Sequence, residues 1–460
     1  MNKQLIRKYN VPGPRYTSYP TVPYWETGSV NPQIWKSQVA KTFNATNSKK
    51  GISLYIHLPF CESLCHYCGC NVRHTVNHAA EEKYIAYLKK EWLLYLDFLG
   101  EKPQIAELHL GGGTPTFFSP ENLKNVLSFI LKNAARHPNY SFSFEADPRN
   151  TTKKHITTLA ALGFKRVSLG IQDFDLAVQE AINRVQSFEQ VERVTNDARA
   201  AGFTSINFDL IYGLPGQSPA TIRNTFEKTK LLKPDRIAFY SYAHIPQNIP
   251  VQRKIDETLL PTGAEKRELY ELGKELLEEH GYIEIGMDHF ALPHDALTHA
   301  FQSGNMHRNF MGYGTLLTVL MIGLGVSSIS DSWSAFGQNH KTIRKYEKAL
   351  DRDELPIYRG HLLNDEDLIM RRHILHLMCT FQTSFEDENL RCDALTEGLK
   401  ALTEPEKDGL VKVTPQNIEV TPLGKPFIRN ICMALDARMH REKRAAQKSE
   451  GRKKSFSTTV

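Results

Sequence analysis

Four of the chain's seven cysteines lie within ten residues, in the stretch CESLCHYCGC at positions 61–70. The preceding stretch, ISLYIHLPF, predicts a buried strand, so the four thiols belong to the loop that leaves it. Thiols at this density indicate a zinc site, a disulfide or an iron–sulfur cluster. The remaining cysteines are scattered, which argues against a disulfide framework, at Cys379, Cys392 and Cys432.

The spacing within this loop separates the two metal alternatives. Structural zinc sites usually present two cysteine pairs that are a dozen or more residues apart, whereas this loop is a single tight cluster. The spacing CxxxCxxC supplies three thiolates to a [4Fe–4S] cluster, Cys61, Cys65 and Cys68, and leaves one iron open for a reacting ligand. Cys70 follows Cys68 after one glycine, which would strain simultaneous ligation, so we interpret it as a free thiol. Structural zinc stays open as the alternative on spacing alone.

The elements that must position this loop alternate between strand and helix over the first half of the chain. Short β-rich apolar runs predict six strands, at 52–58, 105–111, 141–147, 166–172, 206–212 and 236–242. Amphipathic segments between them predict helices, among them 82–99, 121–136, 188–201 and 219–232. This alternation predicts an α/β fold with a parallel sheet, either doubly wound or closed into a full or partial barrel.

Polar or special-backbone residues follow each of the six predicted strands. They are the cysteine loop, GGGTP at 111–115, Glu145 with Asp147, Gln172 with Asp173, Asp209, and Tyr242, Ala243 and His244. The carboxyl ends of parallel strands meet at one edge of the sheet, where α/β proteins build their sites. The pattern therefore predicts one converging site, although some of these residues are expected only to cap helices.

Length and charge exclude several classes of protein. With 460 residues, 41% of them hydrophobic and 23% charged, the chain is expected to form two globular domains. The longest apolar run, at 316–326, is too short for a membrane helix and the polar N-terminus carries no secretory signal, so a cytoplasmic protein without a membrane partner is expected. Residues 438–454 hold eight Lys and Arg and two Glu, which accounts for the whole net charge of +6. Such a run is typical of a solvated helix or tail, and no nucleic-acid partner is expected.

Several motifs resemble those of a known superfamily. CxxxCxxC after the first predicted strand, with Tyr67 before its third cysteine, and GGGTP after the second strand resemble the radical S-adenosylmethionine (SAM) enzymes. The leader PGPRYTSYPT at 12–21 and the extended CxxxCxxCGC carry a narrower resemblance, to the oxygen-independent coproporphyrinogen III dehydrogenase (oxidase) family. The same resemblance continues along nearly the whole chain, in SFEADPR (143–149), LGIQDF (169–174), NFDLIYGLP (207–215), GMDHFA (286–291), HRNF (307–310) and RNICM (429–433).

This resemblance implies an architecture and a reaction. The architecture is a partial (β/α) barrel of radical SAM type over 51–330, an N-terminal arm over 1–50 at the active site, and a smaller, mainly helical, winged-helix-like domain over 331–460 with a basic tail. The implied reaction converts two propionates of coproporphyrinogen III to vinyl groups and gives protoporphyrinogen IX. One [4Fe–4S] cluster, two SAM molecules and a flavodoxin- or ferredoxin-like electron donor are implied, and the chain is expected to be a monomer.

The resemblance also implies roles for individual residues. Cys61, Cys65 and Cys68 would hold the cluster, while Glu145, Cys70 and Arg15 are the expected catalytic side chains. Contacts to the first SAM are implied for Tyr55, Gly112, Glu145 and Ile329. Contacts to the second SAM are implied for Tyr67, Gly113, Thr114, Gln172, Arg184, Asp209 and Ala243. The four propionates of the substrate need cations, for which Arg15 and Arg308 are candidates.

Two departures from the family pattern bear on the contacts around HRNF. Met311 stands where family members often carry glutamine, and the segment GYGTLLTV at 312–319 is more apolar than the polar segment expected there. The main rival function on the same scaffold is haem binding and delivery, by a sister group that typically lacks both the leader motif and the fourth cysteine. A radical SAM enzyme that opens or methylates haem and a zinc-stabilised scaffold are the further alternatives.

Overall fold

The structure, a computed structural model, describes residues 3–26, 28–446 and 458–459. Its strands are β1 (Ile52–Leu58), β2 (Phe60–Cys61), β3 (Arg73–His74), β4 (Gln104–Gly112), β5 (Ala135–Ala146), β6 (Arg166–Gln172), β7 (Ser205–Tyr212), β8 (Arg236–Ser241), β9 (Ile283–Gly286), β10 (His289–Ala291), β11 (His307–Asn309), β12 (Gly312–Gly314), β13 (Met321–Leu324), β14 (Ile329–Asp331), β15 (Ala335–Asn339), β16 (Ile357–Leu362), β17 (Gln382–Ser384), β18 (Val411–Val413) and β19 (Asn417–Val420). Its α-helices are α1 (Lys3–Tyr9), α2 (Pro32–Lys50), α3 (Ala80–Leu99), α4 (Pro120–Lys132), α5 (Lys153–Ala161), α6 (Leu176–Ala181), α7 (Phe188–Ala200), α8 (Pro219–Leu232), α9 (Gly263–Glu279), α10 (Ala296–Gln302), α11 (Ile343–Asp351), α12 (Asp365–Thr380), α13 (Asp393–Ala401), α14 (Thr403–Lys407), α15 (Ile428–Ala434) and α16 (Ala437–Ala446).

A twelve-stranded sheet forms the frame of the molecule, in the order β16-β15-β14-β13-β1-β4-β5-β6-β7-β8-β10-β9. Its central strands, β13, β1 and β4 to β8, are parallel, and the strands at both edges are antiparallel. The six predicted strands and the predicted α/β barrel class are confirmed. The helix predicted over 121–136 ends at Lys132 instead, because the chain already enters β5 at Ala135.

The parallel strands have one apolar face and one polar face. In β6, Val167 and Leu169 are buried in the core, whereas the alternate residues Arg166 and Ser168 line the cavity inside the barrel. Because successive side chains of a strand point to opposite faces, the neighbouring strands repeat this pattern. Their cavity-lining polar residues are His109, Ser143, Glu145, Ser205, Asn207, Asp209, Arg236 and Tyr240. The barrel interior is therefore a polar, charged chamber.

The barrel sheet continues past residue 330, the predicted end of the barrel domain. Strand β14 spans that position, and β15 and β16 extend the sheet to Leu362. The mainly helical part that follows contains the antiparallel sheet β17-β19-β18. Within it, β18 and β19 form an antiparallel hairpin that α15 follows. None of the described helices is long and apolar enough to cross a membrane.

The predicted N-terminal arm over 1–50 packs in two places. Trp35 and Phe43, on α2, belong to the barrel core, whereas Tyr16 and Tyr19 of the leader belong to the core of the C-terminal helical part. The leader thus connects the two cores. Of the basic run 438–454, the structure describes residues 438–446, at the end of α16, and the others lie outside the described residues.

Candidate active site

A cavity of about 390 Å³ lies inside the barrel and extends from the carboxyl ends of the parallel strands to the first residues of β6, β7 and β8. It gathers most of the residues that the sequence predicts for the site, which are Cys61, Cys65, Tyr67, Cys68, Cys70, Gly112, Gly113, Thr114, Glu145, Gln172, Arg184 and Asp209. The cysteine loop closes one end of the cavity, since it leaves β1 at the position where the predicted strand ends. The prediction of one converging site at the strand ends agrees with this arrangement.

The three predicted ligand thiols differ in their surroundings. Cys65 is buried, and its Sγ accepts hydrogen bonds from Arg184, at 3.6 Å, and Arg149, at 3.9 Å. Cys61 lies 3.4 Å from the hydroxyl of Thr114, and burial raises the pKa of its thiol to about 11. A buried thiolate at Cys61 therefore needs a cation beside it, which an iron would supply.

Cys70 acts on Cys68 through its thiol. A hydrogen bond from Cys70 outweighs burial and lowers the pKa of Cys68 to about 7. The pKa of Cys70 moves the opposite way, well above its ordinary range, because its thiol is hydrogen-bonded to Cys68. Since metal ligands must be deprotonated, the Cys70 thiol prepares Cys68 as a thiolate, which fits its interpretation as a free cysteine.

A buried carboxylate fixes the two arginines next to the cysteine loop. Asp147 bonds Arg184 at 2.9 Å and Arg149 at 2.7 Å. Burial opposes the charge of Asp147, but the two guanidinium groups outweigh it and lower its pKa to about 2. Arg184 also donates to the carbonyl of Gly170, at 2.6 Å. Positive charge is thus held rigidly beside Cys65, where a cluster and its thiolates would place negative charge.

The GGGTP loop is hydrogen-bonded directly to the segment that carries the first cysteine. The Gly113 amide donates to Leu58 at 2.8 Å, and the Thr114 amide donates to Phe60 at 2.9 Å. A Cβ at Gly113 would lie 2.7 Å from the carbonyl carbon of Pro59, so only glycine fits there. Gly112 has a φ of 116°, in the region that glycine alone adopts readily. These glycines allow two loops of the site to pack backbone against backbone.

Glu145 lies at the centre of a chain of polar groups that includes Gly112 and Tyr55, two residues predicted to contact the first SAM. It accepts from the Gly112 amide at 3.3 Å and lies 3.5 Å from Nε2 of His109. Burial opposes its charge, yet His109 and the Gly112 amide hold the pKa of Glu145 below its ordinary value. Tyr55 stacks on His109 and lies 3.1 Å from His57. Glu145 is therefore ionised at neutral pH and can accept from a cationic amino group.

Gln252 is a site residue that the sequence analysis missed. Its buried side-chain amide donates to the carbonyls of Tyr67, at 3.2 Å, and Ala243, at 3.0 Å. Its oxygen accepts from the amide of Ile245 at 2.7 Å. It thereby ties the cysteine loop to the segment after β8, and the two residues whose carbonyls it binds are both predicted contacts of the second SAM. It has no strand or motif signal, since it belongs to a short 3-10 helix at 250–254.

Four of the residues predicted to be catalytic or to bind a cofactor do not line the cavity, and neither does Arg308, a candidate propionate contact. Tyr55 stacks on His109, which lines the cavity, and Ala243 is linked through Gln252 to Tyr67, which also lines it. Ile329 packs with Trp25 and Phe336 in an apolar cluster. Arg15 forms an ion pair with Asp288, at 3.1 Å, and faces a smaller cavity of about 40 Å³. Direct contacts of these four with cofactor or substrate remain predictions.

The far end of the cavity contains charged residues that the sequence analysis also missed. Arg166 lines it with a single long hydrogen bond, 3.4 Å to Ser141, and burial together with nearby Arg236 lowers its pKa to about 9. Arg236 itself pairs with Asp295 at 2.7 Å. The sequence does contain a signal for Arg166 and Arg236. Each is the first residue of a predicted strand and lies on the polar face that lines the cavity. Arg166 is thus a poorly compensated cation that faces the chamber.

The raised pKa of Asp209 allows a test of how strongly the chamber desolvates a charged group, and this test needs no cofactor. Burial raises its pKa to about 7, although it accepts hydrogen bonds from Ser168 and Asn207, at 2.8 and 2.9 Å. Between pH 4 and 7 the folded chain holds this proton and the unfolded chain does not, so the group makes folding less favourable as pH rises. We expect Asp209→Asn to stabilise the chain relative to wild type by an amount that grows from pH 5 to 8, to roughly 1–2 kcal/mol.

Urea denaturation of both proteins across this pH range measures the difference. Asp353→Asn is the matched control, since the Asp353 side chain is 75% exposed and avoids the burial cost. A stability difference for Asp209→Asn that stays constant from pH 5 to 8 would contradict the assignment.

Comparison with known proteins places this site in a class. Residues 55–229 match the Radical SAM superfamily model. The solved coproporphyrinogen III oxidase HemN of Escherichia coli, a radical SAM enzyme, superposes with a TM-score of 0.88 at 35% identity, over 95% of this chain and 98% of that one. The chain therefore has the fold and the cysteine loop of a radical SAM protein.

Curated relatives narrow this class to one family. The oxygen-independent coproporphyrinogen III oxidase of Helicobacter pylori strain J99 is 41% identical over 94% of this chain and 96% of its own. The Synechocystis and Escherichia coli proteins of the same name are 39% and 37% identical, over 94% and 96% of this chain. The chain belongs to the oxygen-independent coproporphyrinogen III oxidase family.

The residues of this chain fit the cofactors that membership implies, a [4Fe–4S] cluster and SAM. Among the described residues, no three His, Cys, Asp or Glu side chains gather as ligands of one ion. A four-iron cluster places each thiolate on a different iron, and Cys61, Cys65 and Cys68 all face the same cavity. The polar groups around Glu145 and Asp209 offer acceptors for the amino and hydroxyl groups of SAM.

Proposed function

We propose that this chain catalyses the oxygen-independent oxidative decarboxylation of coproporphyrinogen III to protoporphyrinogen IX. Each of two propionates would lose one hydrogen atom to a 5′-deoxyadenosyl radical, one CO2, and one electron to a separate electron acceptor, and become a vinyl group. The observation that carries the proposal is one continuous polar cavity, which runs from the three thiols of the cysteine loop to the half-buried Arg166. It joins a radical-generating centre to a cation suited to a carboxylate.

The protein's own residues would position the cofactors and the substrate and shield them from water. When bound, the cluster and SAM supply a 5′-deoxyadenosyl radical that abstracts hydrogen from the substrate. Arg184 and Asp147 hold the loop around Cys65, and Glu145 and Asp209 supply acceptors on two sides of the cavity. The barrel walls exclude water from a reactive species, which suppresses side reactions.

Two arginines are proposed to receive substrate propionates. Arg166 faces the chamber with one long hydrogen bond, as described above. Arg308 is only 7% exposed, and its Nε and Nη1 have no hydrogen-bond partner among the described residues. Its guanidinium lies 4.5 Å from the ring of Tyr313, which lines the cavity. An unpaired buried cation is costly, and a carboxylate would offset that cost.

Four further features complete the proposal. A second SAM would contact Tyr67, Gln172, Arg184 and Asp209, which lie together on the cavity wall. A flavodoxin- or ferredoxin-like protein would donate the electron that is needed to cleave SAM. A single chain would be the working unit. The enzyme would act in the cytoplasm.

The test is an anaerobic assay of the reconstituted protein with SAM, a reductant and coproporphyrinogen III. The expected result is two CO2 per substrate and, after oxidation, a dicarboxylate porphyrin in place of the tetracarboxylate. Stable haem binding without turnover would overturn the proposal in favour of the haem-carrying sister group. A ring-cleaved or methylated haem product would overturn it in favour of a haem-modifying enzyme.

Arg308→Leu tests the proposed propionate contact. Because the guanidinium is buried and unpaired, its loss is expected to leave the melting temperature unchanged or higher, while the KM for coproporphyrinogen III rises roughly 10- to 100-fold. Steady-state kinetics and thermal denaturation measure the two effects. Arg371→Leu is the matched control, since Arg371 is equally buried but paired with Asp331, and it should lose stability. An unchanged KM in Arg308→Leu would exclude this contact.

A further inference from the structure

A second cavity, of about 710 Å³, lies on the other side of strand β11 from the site described above. Its walls come from β11, from the loop 315–319 that follows β12, from α12 and from the end of α2. Neighbouring residues of β11 face the two cavities: His307 lines the second, and Arg308 packs on Tyr313 of the first. Nothing in the reaction proposed above uses this second cavity.

The charged side chains that line this cavity are basic, and no acidic side chain of the described lining neutralises them. Lys50, His307, Arg372 and His376 line it, and none of the described residues that line it is acidic. Burial lowers the pKa of both histidines, that of His307 to about 4, so they are neutral at pH 7. The permanent charges are those of Lys50 and Arg372, which are both exposed at the rim. Two cations without a partner in the lining create a field that favours an anion.

The floor of the same cavity is apolar. Met306, Leu316, Val319 and Leu375 line it, and Leu317 beside them is 48% exposed. Three of these residues belong to GYGTLLTV, the segment that departs from the family pattern by being apolar. An exposed leucine and half-buried apolar side chains next to two cations with no acidic partner in the described lining indicate a ligand with an apolar body and acidic groups. A cavity of this size lies within the usual range for small-molecule sites.

We propose that this second cavity binds an amphipathic polycarboxylate, with the apolar body against the leucines and two acid groups at Lys50 and Arg372. The proposal goes beyond the decarboxylation and does not depend on it. Two sources share this chemistry. One is a tetrapyrrole carboxylate, the class to which the substrate and product belong, and the other is a long-chain dicarboxylic acid.

The experiment measures binding of two probes to the full-length chain, without reductant, so that no turnover is needed. The probes are coproporphyrin III and hexadecanedioic acid, followed by fluorescence and by calorimetry. We expect at least one probe to bind with an affinity that falls tenfold or more in the double variant Lys50→Glu/Arg372→Glu. For coproporphyrin III, we expect the variant to lose one of two sites and to keep the site in the barrel. The probe that responds identifies the source.

The matched control is Arg344→Glu/Lys348→Glu, which makes the same change of net charge on an exposed face of α11. It should bind both probes as wild type does, because it leaves the cavity untouched. A second variant, Leu316→Asn, should weaken binding by removing the apolar contact without adding charge. The proposal is overturned if neither probe responds to the double variant, or if the control variant weakens binding equally.

Discussion

Cys65→Ala is expected to abolish the iron–sulfur cluster and the decarboxylation while the barrel stays folded. The reconstituted variant should lack the four irons and the brown colour of the wild-type protein, because two thiolates cannot hold the cluster that three would hold. The fold should survive, since Cys65 contributes one small side chain and sits on a loop outside the parallel strands. Iron analysis, visible absorption and circular dichroism measure these effects. Four irons per chain in this variant would show that the ligand assignment is wrong.

The control for this variant lies in the same loop. Cys70→Ala should keep its iron, because Cys70 is predicted to be a free thiol rather than a ligand. It removes the hydrogen bond that lowers the pKa of Cys68. Cluster assembly in this variant should therefore shift to higher pH, since the Cys68 thiol would ionise less readily. Equal loss of iron in both variants would make Cys70 a ligand.

Gly113→Ala has the second-largest expected effect. The added methyl would meet the backbone of Pro59 and Phe60, at 2.7 and 2.8 Å, and neither atom belongs to a flexible side chain. The GGGTP loop must then separate from the cysteine loop, and the hydrogen bonds of the Gly113 and Thr114 amides are lost. We expect a loss of stability of about 2–4 kcal/mol and a fall in activity of at least a hundredfold.

Urea denaturation and the anaerobic assay measure these two losses. Gly263→Ala is the matched control: its φ is ordinary and the nearest atom to the added methyl, in Asn10, is 3.7 Å away. It should differ from wild type by less than about 0.5 kcal/mol. Full activity in Gly113→Ala would show that the two loops do not need this contact.

The barrel was predictable because its local signals agree with each other. Each parallel strand is a short β-rich run, and most are followed by an amphipathic helix with a clear start. Ser119, for example, caps α4 by accepting from the Asn122 amide at 3.2 Å. Cysteine spacing and strand position together located the loop, because the end of β1 falls where the pattern predicts it.

The inner chamber was not predictable in the same way. Arg166 and Arg236 are visible in the strand sequences, but which face of a strand turns inward depends on how the whole sheet curves. The role of Gln252 depends on two carbonyls that are distant in sequence, and no local pattern reports them. The pairing of Arg15 with Asp288 is likewise a tertiary contact, 273 positions apart. Sequence patterns predict elements well and predict their mutual orientation poorly.

The leader has a consequence for the order in which the protein is made. The Arg429 guanidinium donates to the carbonyl of Pro14 at 2.9 Å, and the Tyr16 hydroxyl donates to Asp436 at 3.0 Å. These partners are 415 and 420 positions apart, so the leader is synthesised well before the residues that hold it in place. At cellular synthesis rates the delay is roughly 20–80 s. A chain whose synthesis ends before Arg429 would therefore have a formed barrel with its leader undocked. The leader, which connects the two cores in the complete fold, would then be exposed to proteases.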